Sequence, residues 1–194
     1  MNETASDPTD FRSGRTLVDI LRRHAERQGD SEACRFLAPD GTTSEEVTYG
    51  ELDARARAVA GRLQAVGVVD ERTLLLFPPG LDFVTGFLAC LYAGTLAVPA
   101  YPPASKRHLP RLRSILLDAK PAVILTSASL LHKTRAALAA WPESEQIRWL
   151  ALDDEGLGTQ DLAHADILWQ EPDLTLDHLA FLQYTSGSTA DPKG

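Results

Sequence analysis

The chain has 194 residues, 44% of them hydrophobic and 24% charged, a composition that supports a folded core and excludes a disordered or collagen-like protein. Its formal net charge of −8 opposes nonspecific attraction to nucleic acid or to an anionic membrane surface, both of which need a basic face. The two cysteines, Cys34 and Cys90, share no CxxC or metal-ligand spacing, so the reading is of reduced thiols in a cytoplasmic protein, with no disulfide framework.

Residues 1–12 are polar and acidic, lack the apolar stretch of a secretory signal and read as a flexible N-terminal arm. Thr16 followed by Asp19 predicts the cap of a helix with Leu17, Ile20, Leu21 and Ala25 on one face and Gly29 as its stop. Ala33 to Leu37 and Glu45 to Thr48 read as strands of a hairpin about Pro39-Asp40-Gly41. Thr48 and Glu51 form a capping box for the clearest helix, in which Leu52, Ala56, Val59, Ala60, Leu63 and Val66 keep a helical period up to Gly67.

Thr73 to Phe77 is a continuous apolar strand ended by Pro78-Pro79-Gly80; a helix to Ala93 with Gly94 as its stop and a strand through Val98 complete a βαβ unit. The apolar stretch Leu81 to Tyr101 is broken by Asp82, Gly94 and Pro99, so no membrane span is expected. Leu112, Ile115, Leu116 and Ala119 mark a helix ended by Lys120-Pro121, Val123 to Leu125 a buried strand, Ala128 to Ala140 a third helix of this region, and Ile147 to Leu152 a further strand. The pattern weakens from Asp153 to Asp177, read as surface loop, before a last strand, Leu179 to Tyr184. The alternation predicts an α/β fold with helices packed on a largely parallel β-sheet.

Several polar groups are weaker candidates. Lys106, Arg107, His108, Arg111 and Arg113 concentrate positive charge where a helix begins, which the helix dipole does not favour; the cluster suits an acidic protein or a phosphate, or is an ordinary solvated face. His24, His132, His164 and His178 have no metal-binding spacing; Asp153-Asp154-Glu155 reads as a polar turn ahead of a cation site, and Tyr101 and Trp149 as core aromatics ahead of the lining of an apolar tunnel.

The chain ends in Tyr184-Thr185-Ser186-Gly187-Ser188-Thr189-Ala190-Asp191-Pro192-Lys193-Gly194. Hydroxyls and glycines leaving a buried strand can turn side-chain O–H and successive backbone N–H groups toward one point, with an ammonium nearby, and such a point suits a polyphosphate. A Walker A loop needs Gly, four residues, then Gly-Lys-Ser/Thr, and Pro192 before Lys193 breaks that pattern. The same composition also fits a flexible tail. The order of residues after a strand favours the phosphate reading.

At these residues the chain resembles the adenylate-forming superfamily. The segments Leu74 to Phe83, Cys90 to Gly94, Val98 to Pro103 and Arg111 to Ile115 are similar to fatty acyl-AMP ligases. Ala190 departs from the glycine usual in the family, and a left-handed residue there costs alanine about 1 kcal/mol. The resemblance implies that residues 13–194 are the N-terminal part of an AMP-binding adenylation domain truncated after its phosphate loop. In that loop Thr185, Ser186, Gly187, Ser188, Thr189, Lys193 and Gly194 would hold ATP, with Lys193 acting catalytically on the departing pyrophosphate. It further implies activation of a fatty acid to an acyl-adenylate and transfer to the phosphopantetheine thiol of an acyl carrier protein. The ligands of Mg2+ are expected outside this chain, and the chain alone is expected to be inactive. The alternatives are an acyl-CoA synthetase, a peptide-synthetase adenylation domain or, from another class, a non-catalytic nucleotide-binding module.

Overall fold

The capping boxes read from the sequence form as expected. In the computed structural model, which describes residues 16–38, 40–153 and 169–185, Thr16 Oγ1 accepts from the Asp19 N–H at 3.2 Å and the Asp19 carboxylate accepts from the Thr16 N–H at 2.9 Å. Helix α1, Leu17–Gln28, follows. Its stop works differently from expectation, because Gly29 is right-handed with φ −53°. A Cβ on Gly29 would lie 2.7 Å from the Ala25 carbonyl oxygen and 3.9 Å from Gly50 Cα, and the Gly50 N–H donates to the Gly29 carbonyl at 2.9 Å. The missing Cβ therefore spares a collision with the Ala25 carbonyl of the helix's own last turn, while Gly50 stands at ordinary van der Waals distance.

Strands β1, Glu32–Leu37, and β2, Thr43–Thr48, form the predicted antiparallel hairpin, each starting one or two residues before its expected span. The second box, Thr48 with Glu51, opens α2, Tyr49–Ala65, which Gly67 ends at φ 70°. Next come β3, Arg72–Leu76, and α3, Leu81–Ala93. Gly94, left-handed at φ 69°, separates α3 from β4, Leu96–Ala100. A 3-10 turn, Lys106–His108, leads into α4, Leu109–Ala119, and β5, Val123–Thr126. Helix α5, Ala128–Leu138, ends two residues short of the expected Ala140, and β6, Arg148–Ala151, closes the sheet.

The four strands β3 to β6 are parallel in the order β4-β3-β5-β6. Alternation along β3 divides its side chains between two cores. Leu75 and Phe77 join Ala97, Val123 and Leu125 beneath α1, α2 and α3, whereas Leu74 and Leu76 join Val98 and Ile124 above α4 and α5. Helices thus cover both faces of a parallel α/β sheet, as the alternation predicts.

One buried polar group sits between the helices of the first layer. The hydroxyl of Tyr92 on α3 donates to Asp53 Oδ1 on α2 at 2.6 Å, and Arg57 Nη2 meets Asp53 Oδ2 at 2.6 Å. Burial, followed by the Asp53 hydrogen bond, holds the Tyr92 phenol far above its ordinary range, so it acts as a neutral donor. Cys90 is fully buried, and that burial pushes its thiol up, in keeping with an unreactive core residue.

Residues 169–177 contain no helix or strand, as the weak pattern predicts, yet they are strapped to the first layer. Trp169 Nε1 donates to the Tyr92 carbonyl at 2.8 Å, and Arg22 pairs with Glu171 at 2.6 Å and lies over the Trp169 ring. Gln64 donates to the Gln170 carbonyl at 2.7 Å and accepts from the Gln170 N–H at 2.9 Å. Beyond the strap, the predicted strand Leu179 to Tyr184 pairs with β4, among the described residues, through a parallel bridge of Phe181 with Ala97. Ala97 N–H donates to the Ala180 carbonyl and Leu182 N–H to the Ala97 carbonyl. Two residues on, the β4 position facing the same way is Pro99, which has no N–H to donate, so the ladder stops.

Candidate functional site

The carboxyl ends of β3 and β4 frame a groove of about 750 Å³. Pro78-Pro79 and Pro102-Pro103 account for its shape. Neither pair can continue a ladder, so both chains turn away from the sheet and leave space between them. The walls are apolar, with Phe77, Phe83, Leu112 and Ile115, and the polar groups that reach it come from His108, Arg111, Gln183 and Tyr184. Ligands of open α/β sheets bind beyond the carboxyl ends of strands. The groove obeys that rule, lying one strand away from the β3/β5 boundary where the connections reverse direction. A smaller cavity of about 250 Å³ opens at the amino end of β4, between Leu17, Leu91 and Leu176.

Tyr184 forms the inner rim of the groove. Its ring is 8% exposed and belongs to the core cluster of Leu112, Ile115 and Leu116. Its hydroxyl donates to Asp118 Oδ2 at 2.5 Å, and Arg111 Nη2 donates to its carbonyl at 3.5 Å. Burial, with the Asp118 hydrogen bond second, pushes the phenol up to about 12, so it keeps the proton it donates to Asp118. Across the sheet, the Thr126 hydroxyl donates to the Leu76 carbonyl at 2.6 Å, and Asp153 Oδ1 accepts from the Ala128 N–H at 2.5 Å at the start of α5. These contacts hold the carboxyl ends of β3, β5 and β6 in register.

Of the phosphate-loop residues, Thr185 directly follows Tyr184 and is exposed. Ser186, Gly187, Ser188, Thr189, Lys193 and Gly194 lie outside the described residues, as do Ala190 and Pro192. The basic cluster divides. Arg113 pairs with Glu143 at 2.5 Å and lies over the Trp141 ring, whereas Arg111 and His108 belong to the groove. Tyr101 is 77% exposed at the groove, contrary to the expectation of a core aromatic, because β4 ends at Ala100; Trp149 does pack against the second core. His24 hydrogen-bonds Gln28 and stacks on Tyr49, and His178 meets Asp70 at 3.0 Å. Among the described residues no three His, Cys, Asp or Glu side chains converge on a point that could hold a metal ion.

Sequence reasoning missed Asp118 and the grip of α4 on Tyr184. The available signal was the tyrosine itself, since a phenol in an apolar run needs a partner for its O–H.

Comparison with known proteins places this geometry. The AMP-binding enzyme family matches residues 21–194. The medium-chain-fatty-acid–acyl-carrier-protein ligase JamA of Moorena producens (strain JHB) is 40% identical over 183 residues, 92% of this chain and 30% of the relative. The long-chain-fatty-acid–AMP ligase FadD32 of Mycolicibacterium smegmatis (strain ATCC 700084 / mc(2)155) is 36% identical over 188 residues, 95% of this chain and 29% of that protein. A fatty acid AMP ligase from Legionella pneumophila superposes with a TM-score of 0.81 at 38% identity, covering 96% of this chain and 31% of the other. The chain therefore spans about 30% of the length of the curated relatives it matches. With the family match running through nearly all of the parallel sheet and on through the hydroxyl and glycine segment, the chain belongs to the AMP-binding enzyme family.

Proposed function

We propose that this chain serves ATP-dependent activation of a fatty acid, contributing the phosphate-binding side of a fatty acyl-AMP ligase as the N-terminal part of its adenylation domain. A fatty acid carboxylate oxygen attacks the α-phosphorus of ATP, the bond to the bridging oxygen breaks, and its electron pair leaves with pyrophosphate. The acyl group then passes to the thiol of a carrier protein and AMP departs. Thr185, Ser186, Ser188 and Thr189 serve as hydroxyl and backbone N–H donors to the β and γ oxygens, Gly187 and Gly194 allow close approach of the backbone, and Lys193 offsets the charge that grows on the leaving group. Mg2+ has its ligands outside this chain and supplies further charge neutralisation on the phosphates when bound.

The observation that carries the reading is the position of Tyr184-Thr185. They bring the hydroxyl and glycine segment off the sheet at the rim of an apolar-walled groove. The relatives support the substrate class. One is named for fatty acid transfer to an acyl carrier protein, and a second Legionella pneumophila structure, with a TM-score of 0.79, holds acyl adenylate and pyrophosphate.

The test is fatty-acid-dependent exchange of pyrophosphate into ATP by the full-length product of the gene that encodes residues 1–194. Loss of a charged hydrogen bond of about 1.5–3 kcal/mol predicts that Lys193→Ala slows exchange by roughly 10- to 150-fold, with the melting temperature unchanged. An unaltered rate would remove Lys193 from the mechanism, and exchange indifferent to fatty acid would overturn the ligase reading.

A further inference from the structure

Residues 179–185 meet the rest of the protein in two ways. At the sheet edge, Ala97 N–H donates to Ala180 O at 3.1 Å and Leu182 N–H donates to Ala97 O at 2.9 Å, and Pro99 then ends the ladder. Beyond Leu182 no further hydrogen bond to β4 is made among the described residues. Helix α4 takes over, gripping Tyr184 by its ring tip through Asp118 and by its carbonyl through Arg111. These two α4 residues are seven apart, two helical turns, so they stand on one face about 10 Å from each other. The phenol O–H thus has a side-chain acceptor on α4. With the ring held in the core as well, Tyr184 is constrained at both ends of its length.

We infer that Asp118 and Arg111, acting through Tyr184, are positioning residues for the triphosphate loop, an assignment that rests on the adenylating function proposed above. The first donor of the loop, Thr185, is joined covalently to the residue they hold. A recognition surface of backbone N–H groups and hydroxyls depends on sub-ångström placement, and an error of about 1 Å in a bound reactant can cost on the order of 100-fold in rate. The anchor therefore bears on the ATP loop, to which Tyr184 is joined, more than on the fatty acid. A bond that only stabilised the fold would affect both substrates alike.

Tyr184→Phe keeps the buried ring and removes only the hydroxyl. Asp118 is exposed, so Asp118→Ala leaves no cavity. In the full-length protein, each is expected to raise the Kd of Mg-ATP measured by calorimetry, and the exchange KM for ATP, by about tenfold, the equivalent of one lost hydrogen bond. The KM for decanoate should stay within about twofold. Asp118→Asn, which keeps an acceptor oxygen, restores most of the ATP affinity, and the double variant combining Tyr184→Phe with Asp118→Ala is no worse than either single change. Unchanged ATP Kd in Tyr184→Phe, equal rises in both KM values, or additive losses in the double variant would each overturn the assignment. Should exchange not depend on fatty acid, the ligase reading fails, and the calorimetric ATP series still decides whether the anchor exists.

Discussion

Ionising Tyr184 would place a phenolate in an apolar core beside a carboxylate, and both effects favour the protonated form. Its folded value of about 12 exceeds the unfolded 10.0, so the folded protein holds the proton more tightly. The resulting stability is fully present below pH 10 and is lost as pH rises through 12. Alkaline denaturation should therefore fall less steeply with pH for Tyr184→Phe than for the parent over that interval, by urea titration at successive pH values; parallel curves would contradict the assigned shift. Tyr92 and Asp53 form a more buried version of the same pair. Tyr92→Phe leaves Asp53 with Arg57 as its charged partner and is expected to cost about 1–3 kcal/mol of unfolding free energy. The double variant with Asp53→Ala should cost less than the sum of the two, because one hydrogen bond is being removed twice.

Pro99 shows how one residue can end an element far along the chain. In Pro99→Ala the new N–H faces the Leu182 carbonyl, and pairing can run on toward residue 184. Slow amide exchange is expected at positions 99 and 184 of that variant, with weaker ATP binding because the rim is drawn back to the sheet; fast exchange at both would refute it. The proline was visible in the sequence, but the direction its nitrogen faces depends on register with a distant segment. Caps were legible because each is closed within four residues, as at Thr16 with Asp19 and Thr48 with Glu51. Strands β3 and β5 were legible because burial on both faces makes them continuously apolar. Gly29 was rightly read as the stop of α1, but its right-handed conformation and the 2.7 Å approach of the Ala25 carbonyl to the place of its Cβ were not visible in the sequence. Thr185 and the segment after it were legible by composition and order, whereas Asp118 lies 66 residues from Tyr184 on the exposed side of a helix and carried no periodic signal.

Across the whole molecule, residues 169–184 join the first helical layer to the groove. That segment is held by Trp169, whose indole reaches the backbone of α3 while its ring lies beside Tyr92 and under Arg22. Trp169→Ala removes all three contacts at a half-buried position, and a loss of about 2–3 kcal/mol is expected from chemical denaturation. A loss below about 0.5 kcal/mol, the scale of an ordinary surface substitution, would show that the strap contributes little.

The pairing of Gln64 with residue 170 constrains its two positions unequally. The amide of Gln64 reads only main-chain atoms, donating to one and accepting from the other, as a neighbouring strand would. Any amino acid except proline can supply those atoms, so position 170 is free to vary. Position 64 is not: glutamate there would set a carboxylate against a carbonyl oxygen, and asparagine is one carbon too short to span the gap.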